Sequence, residues 1–279
     1  MNEGPSGDRN GSPGLLAGST AAELQAAESF FPDSNSMTRL AQFSVVALFL
    51  VAVAKSETPG KSAIPMDYMQ PVVAELKKDW PANRTVQIVC HGHSVPAGYF
   101  KTPRVDSLHA YPHVLHQTLA GRFPHAVMNV IVTAIGGENS EQGLARFERD
   151  VLPHQPDVLC IDYALNDRRL SLNQARAAWV AMIKKAQAAG VRVILLTPTA
   201  DLTANLDDPE DPLNQHARQI RGLAAEYHVA LVDSLAVFKA EIARGQALES
   251  LMAQPNHPNA QGHALVAEEL AKWFPSADQ

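Results

Sequence analysis

Five short apolar runs, rich in β-branched residues, recur along the chain and do most to limit its fold. They are Val86–Cys90, Val127–Thr133, Val158–Tyr163, Val191–Thr197 and Val229–Val232. Runs of this kind suit strands of a parallel sheet that is covered on both faces. The stretches between them carry helical spacing. Leu172, Ala175, Trp179, Met182, Ile183 and Ala186 fall on one helical face, and Gly190 stands where a C-terminal cap belongs. Asp211-Pro212 reads as an N-cap followed by proline at the first helical position, ahead of a stripe of Leu213, Ala217, Ile220, Leu223 and Tyr227. A short lead-in helix over Val72–Trp80 and a last helix over Ala260–Phe274 complete the pattern. Parallel neighbours need crossover connections, and these are right-handed. The expected fold is therefore α/β, a three-layer sandwich around a five-stranded parallel, flavodoxin-like sheet. With no repeat or linker in it, residues 65–279 should form one domain.

Composition agrees with a packed domain. Hydrophobic residues make up 46% and charged residues 19%, which excludes wholesale disorder. The net charge of −6 argues against a nucleic-acid partner. The two cysteines, Cys90 and Cys160, cannot build a disulfide scaffold or a zinc-binding pair. Both lie in strands and are expected to face the covered sides as small apolar residues.

The first 54 residues read differently. Residues 1–36 have no sustained periodicity and look disordered, or like an overlong gene start. Met37 opens a second pattern: Arg39, the apolar run Phe43–Ala54, and a small-x-small ending at Ala52-Val53-Ala54. A spanning helix needs about 20 apolar residues, and this run has 12. Residues 37–54 are expected to be a signal peptide cleaved after Ala54. The mature protein would then be exported, periplasmic or secreted, without stable membrane insertion.

In an open parallel sheet, ligands bind beyond the carboxyl ends of the strands. His91-Gly92-His93-Ser94 follows the first strand, Ile135-Gly136-Gly137-Glu138-Asn139 the second and Ala164-Leu165-Asn166-Asp167 the third, while Asn256-His257-Pro258-Asn259 comes late. One rim thus gathers the parts of acyl transfer. A serine hydroxyl becomes a nucleophile when a base takes its proton, and His257 is the candidate base for Ser94. The backbone N–H groups of Ser94 and Gly137 and the side-chain amide of Asn166 are candidate oxyanion donors.

This ordered set resembles the SGNH/GDSL hydrolases, secreted or periplasmic esterases and lipases, over about residues 85–270. The resemblance implies Ser94 as nucleophile, His257 as base, and Gly137 and Asn166 in the oxyanion hole. It chooses Gly137 over Gly136 by its offset from Glu138-Asn139-Ser140. The chain departs from the family pattern at three points. His93 stands where the family has Asp before the serine, Ala164 where it has Gly, and Gln254 where it has the acid three residues before the histidine. A glutamine carbonyl can accept the histidine N–H, so Gln254 is the candidate orienter, with Asp233 a candidate substitute carboxylate.

Two rival readings differ in chemistry. His91-x-His93 has metal-ligand spacing, but fitting carboxylates at the strand ends are missing, so no metal and no cofactor are expected. A nucleophile elbow Gly-x-Ser-x-Gly would need glycine at position 96, which is proline. The expected function is an exported serine esterase acting on carboxylic esters of small molecules or glycans. The resemblance favours O-acetylated carbohydrate, with lipid or thioester substrates compatible. A non-catalytic carbohydrate-binding protein on the same fold is the alternative raised by Gln254.

Overall fold

The computed structural model describes residues 67–276. Residues 1–36 and the expected signal peptide 37–54 lie outside the described residues. The central sheet contains β1 (Thr85–Gly92), β2 (Val127–Val132), β3 (Val158–Asp162), β4 (Arg192–Leu196) and β5 (Ala230–Val232). All pairs are parallel, in the order β2-β1-β3-β4-β5. This is the flavodoxin-like order expected from the sequence, and each strand end falls within two residues of its apolar run.

The strands read as continuous apolar runs because alternate residues serve two different cores. Val86, Ile88 and Cys90 of β1, Val158 and Cys160 of β3, and Ile194 and Leu196 of β4 enter one core. Val89, Leu159, Ile161, Val193 and Leu195 enter the other. Period-two alternation thus sends each strand's apolar residues to both faces. Cys90 lies beside Cys160 in register, and both are buried and free.

Nine helices cover the sheet among the described residues: α1 (Gln70–Leu76), α2 (Ser94–Ala97), α3 (Tyr111–Arg122), α4 (Ser140–Asp150), α5 (Ala164–Asp167), α6 (Leu172–Ala188), α7 (Pro212–Glu226), α8 (Ser234–Ala243) and α9 (Ala260–Ala271). Helices α1, α3, α8 and α9 pack on the first core through Leu76, Leu115, Phe238 and Leu270. Helices α4 and α6 and the second half of α7 pack on the other through Phe147, Trp179, Ile183 and Leu223.

The boundaries follow local chemistry. Asn139 and Ser171 close capping boxes with Gln142 and Gln174 at the starts of α4 and α6. Asp211 Oδ1 accepts from Leu213 N at 2.8 Å, as the Asp-Pro pair predicted. Gly190 adopts φ +75° just past α6. Two helices are shorter than the sequence suggested. Helix α1 stops at Leu76. Helix α9 stops at Ala271, where the backbone tightens into three-residue bonds from Trp273 to Leu270 and from Phe274 to Ala271. Among the described residues, no helix is long and apolar enough to cross a membrane.

β1 lies between β2 and β3, so the loops leaving β1 and β3 run to opposite sides of the sheet. The crevice at that reversal is where this topology builds a site.

Candidate active site

The end of β1 is held very close to β3. His93 N donates to Asp162 O at 3.2 Å. A Cβ at Gly92 would lie 2.4 Å from that same oxygen and 2.8 Å from Pro96 Cγ, so only glycine fits. The chain then turns at once into α2, whose first residue is Ser94. His93 caps the turn, its Nδ1 accepting from Val95 N at 3.1 Å. An accepting Nδ1 leaves the proton of a neutral ring on Nε2. That Nε2 lies 3.3 Å from Asp162 Oδ1, buried and off the direction of a hydrogen bond. The other oxygen of Asp162 accepts from Tyr111 Oη. At the first position of α2, Ser94 N–H has no intrahelical partner and stays available as a donor.

His257 approaches from the hairpin of β6 (Met252–Gln254) and β7 (His257–Pro258). Its Nε2 lies 2.8 Å from Ser94 Oγ, and its Nδ1 lies 2.9 Å from the backbone carbonyl of Phe100. A carbonyl can only accept, so Nδ1 carries the ring proton and Nε2 keeps its lone pair toward the serine. This is the tautomer a general base requires. Burial pushes the His257 pKa below 6.5, and the bond to Phe100 partly opposes that shift. The ring is therefore neutral around pH 7.

Gln254 does not orient His257. Its Oε1 accepts from Thr102 N at 2.9 Å and its Nε2 donates to Asn256 Oδ1 at 2.9 Å. The glutamine ties the loop after α2 to the histidine hairpin, and a main-chain oxygen takes the orienting contact. Asp233 is engaged elsewhere. It caps α8 and pairs with Arg221 through both oxygens, at 2.6 and 2.9 Å.

The Phe100 carbonyl is held by its surroundings. Phe100 N donates to Arg104 O, and Asp106 N donates to Gly98 O. The Phe100 ring stacks on His263 with centroids 5.0 Å apart. His263 Nδ1 accepts from Tyr111 N at 3.2 Å. Burial, together with the nearby His257, pushes the His263 pKa down to about 3, so this ring packs as a neutral aromatic.

The second and third rim segments are tied to each other. Gly137 takes φ +84°, a conformation that favours glycine. Asn166 Nδ2 donates to Glu138 O at 2.8 Å, leaving the second amide hydrogen free for a ligand. Asp167 is buried, and its two oxygens accept from Ser140 N at 2.7 Å and Trp179 Nε1 at 2.6 Å. Its neighbours thus hold the Asn166 turn against α4 and α6. Burial raises the Asp167 pKa despite these donors.

The structure brings Ser94 and His257 into contact and ties Asn166 to the turn that carries Gly137. The two histidines with metal-ligand spacing point apart in role. His91 bonds Thr133 Oγ1, Gly143 O and Tyr163 Oη inside the second core, and burial lowers its pKa to about 4. Sequence reasoning missed Phe100, whose contribution is a main-chain atom, and Tyr99. The Tyr99 ring lies 6.3 Å from the His257 ring and fills the space a Gly136 side chain would need. An aromatic residue five positions past the serine was the available signal.

Beside Asn166 and Asn256 opens a cleft of about 320 Å³, bordered also by Arg168, Arg169, Thr203 and Asp211. Arg168 donates to Asp201 Oδ2 at 2.6 Å and to Leu165 O at 2.8 Å.

A model of the GDSL-like Lipase/Acylhydrolase family matches residues 90–265. An acetylxylan esterase of Geobacillus stearothermophilus is 24% identical over 163 residues, which cover 54% of this chain and 74% of that protein. The solved structure of a catalytic mutant of an acetylxylan esterase from the same organism superposes with TM-score 0.61 at 20% identity, covering 72% of this chain and 97% of that one. A two-domain esterase active on acetylated mannans superposes with TM-score 0.62 at 21% identity, covering 76% of this chain and 53% of that one. These structural likenesses agree with the sandwich and its strand order. The chain belongs to the GDSL-like lipase/acylhydrolase family, and with that family it is a carboxylic-ester hydrolase.

Proposed function

We propose that this protein is a serine esterase that removes acetyl groups from carbohydrate, working through a Ser94–His257 dyad whose imidazole is oriented by the Phe100 carbonyl. One observation carries the reading. His257 touches Ser94 Oγ through one ring nitrogen at 2.8 Å, while its other nitrogen meets an obligate acceptor at 2.9 Å.

In this reading Ser94 Oγ attacks the ester carbonyl and passes its proton to His257 Nε2. Ser94 N–H, Gly137 N–H and the free Asn166 amide hydrogen receive the negative oxygen of the tetrahedral intermediate. The intermediate collapses, and His257 returns the proton to the departing sugar hydroxyl. The acetyl group is left on Ser94. Water then attacks the acyl-enzyme with His257 again as base, and acetate leaves.

The carbonyl replaces part of what a carboxylate would do. In the aspartate-to-asparagine change of serine proteases, the roughly 10⁴-fold loss follows from the wrong tautomer. Here the tautomer is kept, and the missing element is the negative charge facing the imidazolium. Support for the acetyl-sugar substrate comes from the acetylxylan and acetylated-mannan esterases to which the chain is similar. Export is part of the proposal, supported by the Arg39, Phe43–Ala54 and Ala52-Val53-Ala54 pattern. A mature chain beginning at Lys55, read by mass spectrometry, is the expected form.

The test is hydrolysis of 4-nitrophenyl acetate and of an acetylated xylo-oligosaccharide, with Ser94→Ala alongside. Loss of both activities in the variant is expected. Equal rates in the two proteins would remove the proposal.

A further inference from the structure

We propose that the cleft beside Asn166 and Asn256 is a subsite for a carboxylate-bearing sugar, and that Arg169 reads the carboxylate. The inference rests on the esterase reading and narrows its substrate to acidic acetylated glycans. Two residues of the cleft connect it to the reacting centre. Asn166 is the side-chain oxyanion donor of the proposed mechanism, and Asn256 directly precedes His257 in the chain. Its volume of about 320 Å³ lies at the lower end of the usual range for small-molecule sites.

The polar groups of the cleft are unevenly used. Both oxygens of Asp211 are engaged, by Asn205 N and Leu213 N at 2.8 Å each. Asp201, behind Arg168, is also fully engaged, by Arg168 on one oxygen and by Thr203 N and Oγ1 on the other. The Asn256 carbonyl oxygen accepts from Gln254, which leaves the Asn256 amide hydrogens. With Asn166 committed to Glu138 O and the oxyanion, what remains unspent is mostly donors: the Arg169 guanidinium, the second terminal nitrogen of Arg168, and the Asn256 amide.

Arg169 differs from the other arginines. Every other arginine among the described residues has a carboxylate, a main-chain carbonyl or an aromatic ring against its guanidinium. Arg169 is exposed on the cleft, with no such group against its side chain among the described residues. Arg168 is fixed by Asp201, whose carboxylate offsets its charge, and by the Leu165 carbonyl, so it adds rigid donors to the cleft. A guanidinium presents paired donors that match a carboxylate. With Arg168 offset by Asp201 and Asp211 also bordering the cleft, Arg169 is the cation there that has no carboxylate against it among the described residues. Its paired donors suit a carboxylate, and a uronic acid residue next to the acetylated sugar supplies one.

The experiment compares kcat/KM for two acetylated oligosaccharides of equal length, one neutral and one with a single uronic acid residue beside the acetylated sugar. The wild-type protein is expected to prefer the acidic substrate by about tenfold, and the preference should shrink in 0.5 M NaCl. In Arg169→Gln the ratio is expected to fall to about one, and in Arg169→Lys to an intermediate value. Arg176→Gln, which removes a surface pair with Glu226, should keep the wild-type ratio. Equal kcat/KM for the two substrates in the wild type, or an unchanged ratio in Arg169→Gln, overturns the subsite. Cleavage of 4-nitrophenyl acetate with no preference between the glycans overturns the subsite alone. Failure to cleave any acetyl ester overturns the esterase reading beneath it.

Discussion

Gly92→Ala tests whether the close approach of β1 to β3 sets the position of the nucleophile. The added methyl would start 2.4 Å from Asp162 O, where real contacts stay above 3.0 Å. The two strand ends must then part by about 0.6 Å, the difference between those distances. Pro96 Cγ at 2.8 Å blocks escape toward α2. The shift acts two residues before Ser94, on the backbone that fixes its hydroxyl 2.8 Å from His257. Overpacking of this kind costs about 1–3 kcal/mol in stability. A reacting group misplaced by 1 Å loses about 10² in rate, so a shift of half that size should lower kcat by roughly tenfold. The assay is kcat on 4-nitrophenyl acetate together with the urea midpoint. Gly190→Ala serves as the reference, since it has φ +75° with open space around it and lies past α6. That change should cost about 1 kcal/mol of stability and leave kcat alone. A folded Gly92→Ala protein with wild-type kcat would refute the reasoning.

Three further outcomes follow from the same geometry. Protonated His257 cannot accept the serine proton and burial lowers its pKa, so the acid limb of the pH profile of kcat/KM should fall off below pH 6.5, where a solvated histidine would titrate. A midpoint above 6.5 would indicate a carboxylate facing the ring. Gln254→Ala should lower kcat by less than about tenfold, because it loosens the Thr102 tether without touching the tautomer. A loss near 10⁴ would return the orienting role to Gln254. Trp179→Phe removes the donor 2.6 Å from Asp167 Oδ2 and should cost about 1–3 kcal/mol by urea titration, with kcat reduced through the Asn166 turn.

The sheet was legible because its inner strands β1, β3 and β4 bury residues on both faces and the helices between strands announce their caps. Asp211-Pro212 and Gly190 behaved as local chemistry requires. The rim was legible for a related reason: strand ends in this topology converge, so chemistry-bearing side chains after β1, β2 and β3 fall on one edge. The orienter of His257 was not legible. A carbonyl oxygen belongs to every residue, so nothing in the identity of Phe100 marks it, whereas Gln254 carried a visible side chain at the expected offset and took a different partner. The same limit applies to His93. Its cap on Val95 and its place beside Asp162 depend on a close strand approach that only the Gly92 contact reveals. The Arg168–Asp201 pair spans 33 residues of sequence and joins two loops with no periodicity to align them.

Covalent labelling asks whether an imidazole lone pair activates one serine oxygen. Treatment with a fluorophosphonate, followed by peptide mass analysis, should place a single adduct on Ser94. The adduct should form at a greatly reduced rate in His257→Ala, and Ser94→Ala should remain unlabelled. A label on another serine, or equal labelling rates with and without His257, would contradict the account.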